Sequence, residues 1–188
     1  MSQDIFKKIG EGINESSKCL TGLLEEESEQ MKVPLSQYEK LDKTLVISPL
    51  DNEKDRVWAF FTSSVSLEIA DYIIYSLQGD DIFCFVLDLK KSKTNDNKSK
   101  GRKQIVSTIP LAKMLYEKTT GVNPEELKCV GIRVFGPPRG KKVPNKLEPS
   151  KDDDGKLVIV NYNQNKSGAK LTSLTHLVKE IKKEGFFN

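Results

Sequence analysis

Apolar residues recur every four positions at the start of the chain, at Ile5, Ile9 and Ile13, and Leu20, Leu23 and Leu24 continue the stripe beside Glu25-Glu26-Glu27-Ser28-Glu29. This spacing predicts an amphipathic helix. Pro34 ends it. Ser36 and Glu39 have the spacing of a capping box, in which a hydroxyl and a carboxylate satisfy the first free amides of a helix. A short helix is therefore expected from Ser36, with Tyr38, Leu41 and Leu45 inward, and residues 1–50 read as a helical N-terminal part. The period then changes. Arg56 to Thr62, Leu67 to Leu77 and Ile82 to Lys90 are rich in β-branched and aromatic residues, with Ser63-Ser64 and Gln78-Gly79-Asp80-Asp81 between them. Such runs between turn residues predict three strands in an antiparallel meander. The third is apolar at every position from Ile82 to Leu87, as a strand covered on both faces would be.

A helix is expected over 102–119, with Ile105, Ile109, Ala112 and Leu115 inward and Pro110 kinking it or starting a second segment. Cys129 to Phe135 reads as a fourth strand and Lys156 to Val160 as a fifth, with an irregular excursion from Gly136 to Asp154 between them. The stretch 171–184 places Leu171, Leu174, Val178 and Ile181 on one face, with Gly185 as a stop, and predicts a closing amphipathic helix. The fold class that follows is α/β: one domain over 1–188, a sandwich whose mixed sheet of about five strands lies within 56–160 and is flanked by helices.

Composition narrows the chemistry. The chain has 188 residues, one His and three Cys, so schemes built on several histidines and the usual Cys/His zinc sites are excluded. Cys19, Cys84 and Cys129 are too few and too far apart to define a disulfide framework. With no signal-peptide core and no stretch of transmembrane length, the expectation is a cytoplasmic protein away from membranes. Lys+Arg number 30 against 27 Asp+Glu, a net charge of +3, so nucleic-acid binding would need a local patch. Lys90, Lys91, Lys93, Lys98, Lys100, Arg102 and Lys103 supply one, interrupted by a single acid, Asp96; the commoner reading of such a run is a solvated flexible loop.

Two acids interrupt the strand pattern. Asp88 lies near the end of the central strand, and side-chain alternation puts it on one face with Cys84, Val86 and Lys90. An unpaired charge there is costly, and a bound cation would remove the cost. Asp71 breaks the preceding apolar strand, and pairing through the Gln78–Asp81 turn would bring both carboxylates to one end. Mg²⁺ takes a few carboxylates with water and phosphate oxygens, and a lysine beside it can orient water. Acid-x-Lys recurs at Glu126, Asp154 and Glu180, so position distinguishes the copy at Asp88. Glu68, three residues before Asp71, reads as a surface residue, as does His176 on the last helix.

Ala70-Asp71-Tyr-Ile-Ile, followed by Phe83-Cys-Phe-Val-Leu-Asp88-Leu-Lys90 and by Gln104 near the head of a helix, resembles the PD-(D/E)xK nuclease superfamily. The resemblance covers 67–115 by motif and 56–160 by element order. It implies a restriction-endonuclease-like fold and metal-dependent hydrolysis of phosphodiester bonds in DNA, with RNA as an alternative substrate and Mg²⁺ or Mn²⁺ as cofactor. Carried over, Asp71 and Asp88 would hold the metal, Lys90 would orient the attacking water and Gln104 would support the site. Ala70 stands where the motif has proline. The helical glutamate that completes such sites has five candidates, Glu25, Glu26, Glu27, Glu29 and Glu39, of which Glu39 is favoured because its helix immediately precedes the sheet. Lys91, Lys93, Lys100, Arg102, Lys103 and, in a second basic loop, Arg139, Lys141 and Lys142 would meet the phosphate backbone. The alternative is a catalytically silent nuclease-like module that binds nucleic acid, a protein partner in a bacterial defence or toxin-related assembly, or a second copy of itself.

Overall fold

A two-residue turn at Gly79-Asp80 joins the two longest antiparallel strands, β4 (Tyr72–Gln78) and β5 (Asp81–Lys90). Gly79 has φ of 66°, a left-handed conformation that costs glycine nothing. A computed structural model of the chain describes residues 2–13, 18, 23–26, 31–35, 43–47, 68–137, 146–151, 157–164 and 171–187. Around the hairpin lie α1 (Ser2–Gly12), β1 (Leu23–Glu26), β2 (Met31–Pro34), β3 (Thr44–Ile47), α2 (Asn95–Thr120), β6 (Lys128–Phe135), β7 (Lys146–Lys151), β8 (Val158–Asn163) and α3 (Leu174–Lys183). Among the described residues these build a six-stranded mixed sheet in the order β3-β4-β5-β6-β8-β7 and a separate two-stranded sheet, β1-β2. Strands β5, β6 and β8 are parallel; the other pairs are antiparallel.

Alternation along the strands sorts the core into two layers. Tyr72, Ile74, Phe83, Phe85, Leu87, Val130, Ile132 and Val160 face α3 and the β1-β2 sheet, where Leu24, Met31, Val33, Leu174, Leu177 and Ile181 pack on them. Ile73, Tyr75, Cys84, Val86 and Ile159 face α1 and α2, meeting Ile9, Ile105, Ala112 and Tyr116. The architecture is thus the expected α/β sandwich, with a strand more in its sheet than the sequence suggests. No helix among the described residues is long and apolar enough to cross a membrane.

Several elements differ from expectation. The stripe at Leu23 and Leu24 belongs to β1, and Leu45 to β3, so the described residues of the N-terminal part form a helix and short strands. A four-residue strand such as β2, buried at Met31 and Val33 and exposed at Lys32, is too short to show its period in sequence. The run 56–62 and the helix expected from Ser36 lie outside the described residues. Among the described residues, the strand that pairs with β4 on the side away from β5 is β3. Most of the basic run is helical: Thr94 accepts the Asn97 amide at 3.1 Å and starts α2 at Asn95, well ahead of the expected span 102–119, which puts Lys98, Lys100, Arg102 and Lys103 in the helix and leaves Lys91 and Lys93 in the connection before it. α2 also runs on through Pro110, with Pro110 and Val106, the residue whose carbonyl loses its helical donor, both on the exposed side. Within the expected excursion 136–154, β7 forms as an edge strand that tolerates Pro149.

The start of β5 is tied down electrostatically. Asp81 sits 2.8 Å from Lys128 on β6 and 3.4 Å from Lys182 on α3. The hydrogen bond from Lys128, assisted by Lys182, lowers the Asp81 carboxyl below its ordinary value. A depressed carboxylate stabilises the fold above its unfolded-state value and loses that contribution as pH falls through the folded-state value. With Asp81 partly exposed, solvent screening holds this to under about 1 kcal/mol. Asp81→Asn should therefore be slightly less stable than wild type at neutral pH, with the two urea denaturation curves converging in acid. A difference that grows as pH falls would contradict the assignment.

Candidate active site at the carboxyl ends of the parallel strands

β5 is buried from Ile82 to Lys90, so its final residues carry two charges into the interior: Asp88 is 0% and Lys90 4% exposed. Both point to the α2 side, in phase with Cys84 and Val86. The Lys90 Nζ donates to Asp88 Oδ1 at 2.7 Å. The chain's own ammonium therefore meets the buried carboxylate, and a metal is not needed to account for its burial. Asp71, 4% exposed, precedes β4 by one residue; the first β4–β5 pair is Tyr72 with Leu87, so the register continues outward to Asp71 beside Asp88. Its Oδ2 accepts the Leu89 amide at 2.6 Å. The two acids and the lysine thus lie at one end of the sheet, where their spacing in the sequence puts them.

Gln104 reaches the same end from α2. Its Nε2 donates to the Ile69 carbonyl at 2.8 Å, while Thr108 Oγ1 donates to the Gln104 carbonyl at 2.7 Å and accepts the Ala70 amide at 2.8 Å. These bonds clamp residues 69–70, the segment that delivers Asp71, so Gln104 and Thr108 position that carboxylate. Glu68 departs from expectation: it is half-buried, with Oε2 out of solvent, because it sits in this clamped segment ahead of β4 and not in the strand.

Three further features escaped sequence reasoning. Arg133 on β6 stands in register with Asp88 and, on its other side, with Asn161 of β8, which in turn pairs with Glu148 of β7. A polar row therefore crosses the sheet. Arg133 is 8% exposed, and its Nη1 donates to the Lys98 carbonyl near the start of α2 at 2.7 Å. Burial, with repulsion from Arg102, lowers its proton affinity, and Asp88 opposes the shift. The signal was present, since Arg133 is the charge in an apolar strand just as Asp88 is. Gly101 brings the α2 backbone so close that a Cβ there would collide with Asp88 Oδ2 and lie 3.3 Å from Arg133 Cδ. Farther down the same face, Cys84 and Cys129 are neighbours across β5 and β6, both as free thiols.

Of the residues expected to meet nucleic acid, Lys91, Lys100 and Lys103 are exposed, Arg102 is half-buried, and Lys93 is ion-paired with Glu148 at 2.8 Å. Glu39, Arg139, Lys141 and Lys142 lie outside the described residues, as do Trp58, Phe60 and Phe61. His176 is exposed, as expected. The donor set suits a hard cation in kind: Asp71 and Asp88 are two carboxylates at adjacent register positions, and Mg²⁺ takes one or two carboxylates with water and phosphate oxygens. Among the described residues no group of three or more His, Cys, Asp or Glu gathers for a metal.

Comparison with protein-family models, curated proteins and solved structures finds no match. Function must be argued from the site.

Proposed function

We propose that the chain is a metal-dependent nuclease that hydrolyses phosphodiester bonds, with DNA as its substrate. The observation that carries this reading is the meeting of Asp71, Asp88 and Lys90 at one buried end of the sheet, with Gln104 clamping the segment that leads to Asp71. The element order supports it: α1, then, after the separate β1-β2 pair, the antiparallel strands β3-β4-β5, then α2 and β6 follow the helix, three-strand meander, helix and strand that the PD-(D/E)xK resemblance implies. Asp71 and Asp88 would hold Mg²⁺ or Mn²⁺. When bound, such a cation acidifies a water and neutralises charge on the phosphate. Lys90 would hold that water by its ammonium, and the exposed Lys91, Lys100 and Lys103 would draw in the backbone. The reading carries the cytoplasm as its compartment.

A second reading rests on the pairing of Asp88 with Lys90. A carboxylate already neutralised by the protein's own cation suits a silent nuclease-like module that serves by binding. Plasmid cleavage in Mg²⁺, compared among wild type, Asp71→Asn and Lys90→Gln, separates the two. The nuclease reading expects wild-type cleavage abolished by EDTA and reduced at least about a hundredfold in each variant, the scale of losing a group that stabilises the transition state. Equal cleavage by all three, or none by wild type, leaves the binding module.

A further inference from the structure

Arg133 is harder to explain as a packing residue than any other charge described in the sheet. A buried cation needs compensation by an anion or a full set of acceptors. Its hydrogen bond goes to a neutral carbonyl, Lys98 O, and its Nε is buried with no hydrogen-bond partner among the described residues. The acid in register with it, Asp88, has Oδ1 bonded by Lys90. Lys90 and Arg133 therefore share one buried cluster with Asp88 and, beside it, Asp71, and Arg102 adds a further positive charge close enough to repel Arg133. On the opposite side Asn161, next in the row, has a buried amide oxygen that accepts nothing from the described residues.

We propose that Arg133 is a phosphate-binding residue, taking a backbone phosphate of nucleic acid at the carboxyl ends of β5, β6 and β8. Three parallel strands end there, the place where open α/β sheets receive ligands. A guanidinium presents a planar fork that matches two phosphate oxygens, and the anion would supply an acceptor for the buried Nε. The inference rests on the nuclease reading for the identity of the ligand, since the same phosphate would sit beside Asp88. Its rival is purely structural: Arg133 pins the first turns of α2 to β6 through the Lys98 carbonyl.

The test is binding without metal. A short fluorescent DNA duplex is titrated in EDTA with the full chain as wild type, Arg133→Gln, Arg133→Lys and, as a control, Lys179→Ala. Loss of a charge-assisted fork should weaken Arg133→Gln by about ten- to a hundredfold. Arg133→Lys, which keeps the charge without the fork, should fall between. Lys179→Ala, an exposed lysine on α3 across the sheet, should keep wild-type affinity. Equal affinity in wild type and Arg133→Gln, or no binding by wild type, overturns the proposal. Should Arg133→Gln fail to fold, inorganic phosphate decides: it should raise the thermal midpoint of wild type more than that of Arg133→Lys, and an equal rise refutes. Because no metal is present, binding that depends on Arg133 in a protein that never cleaves rejects only the nuclease reading. Cleavage with Arg133-independent binding rejects only this one.

Discussion

Lys90→Ala is expected to destabilise the protein by about 3–5 kcal/mol, the range for breaking a buried ion pair from one side. Lys90 and Asp88 are 4% and 0% exposed and 2.7 Å apart, so the truncation leaves a carboxylate in the interior with its bonded ammonium gone. Arg133, its register neighbour, offsets part of that loss by its charge, while its Nη1 is spent on the Lys98 carbonyl. The double replacement Asp88→Leu with Lys90→Met should recover much of the stability, because apolar residues of similar volume often replace a buried pair without loss. Urea denaturation of wild type, Asp88→Leu, Lys90→Met and the double variant gives the coupling energy directly. A cost below about 1 kcal/mol for Lys90→Ala, as exposed pairs give, would mean that water reaches the pair.

Gly101→Ala sets two effects of opposite sign against each other. Inside a helix, alanine is better than glycine by about 1 kcal/mol. At Gly101 the added methyl would run into Asp88 Oδ2 and crowd Arg133, and overpacking of that kind costs about 1–3 kcal/mol even before the ion pair is disturbed. Asp88 cannot swing away freely, since it is buried and bonded to Lys90. The clash should win, giving a net loss of stability together with a loss of any cleavage that needs Asp88 in place. Gly10→Ala in α1 is the control: nothing lies within 4 Å of its Cβ position, so the propensity gain should appear there unopposed. If both variants are stabilised alike, helix α2 does not press on Asp88.

These two residues also mark how far the sequence could be read. Asp71, Asp88 and Lys90 were legible because a charge in an apolar strand is conspicuous, and because a hairpin turn at Gly79 fixes how β4 and β5 align. Arg133 carried the same signal within Cys129 to Phe135, but its meaning depends on a parallel register that no local pattern specifies. Gly101 was invisible: it is one small residue in a lysine-rich run, and its close approach to Asp88 exists only once α2 lies on the sheet. The same limits apply to the fold. α3 announces itself through a strong helical period, and β5 through an unbroken apolar run. β1, β2 and β3 have four residues each, and β7, Lys-Leu-Glu-Pro-Ser-Lys, is mostly polar and is held by backbone pairing with β8.

The parallel pairing of β5 with β6 has a consequence for the order of folding. The β4–β5 hairpin closes over two residues, a microsecond event in isolated hairpins. Asp88 and Arg133, by contrast, meet only after the whole of α2 has been laid across the sheet, and such long closures are slow. Until then both charges are hydrated and cost the chain nothing. The polar row is therefore assembled late and dehydrated last, which makes it a lock on the finished sandwich: changes in it should act chiefly on the rate at which the native state opens.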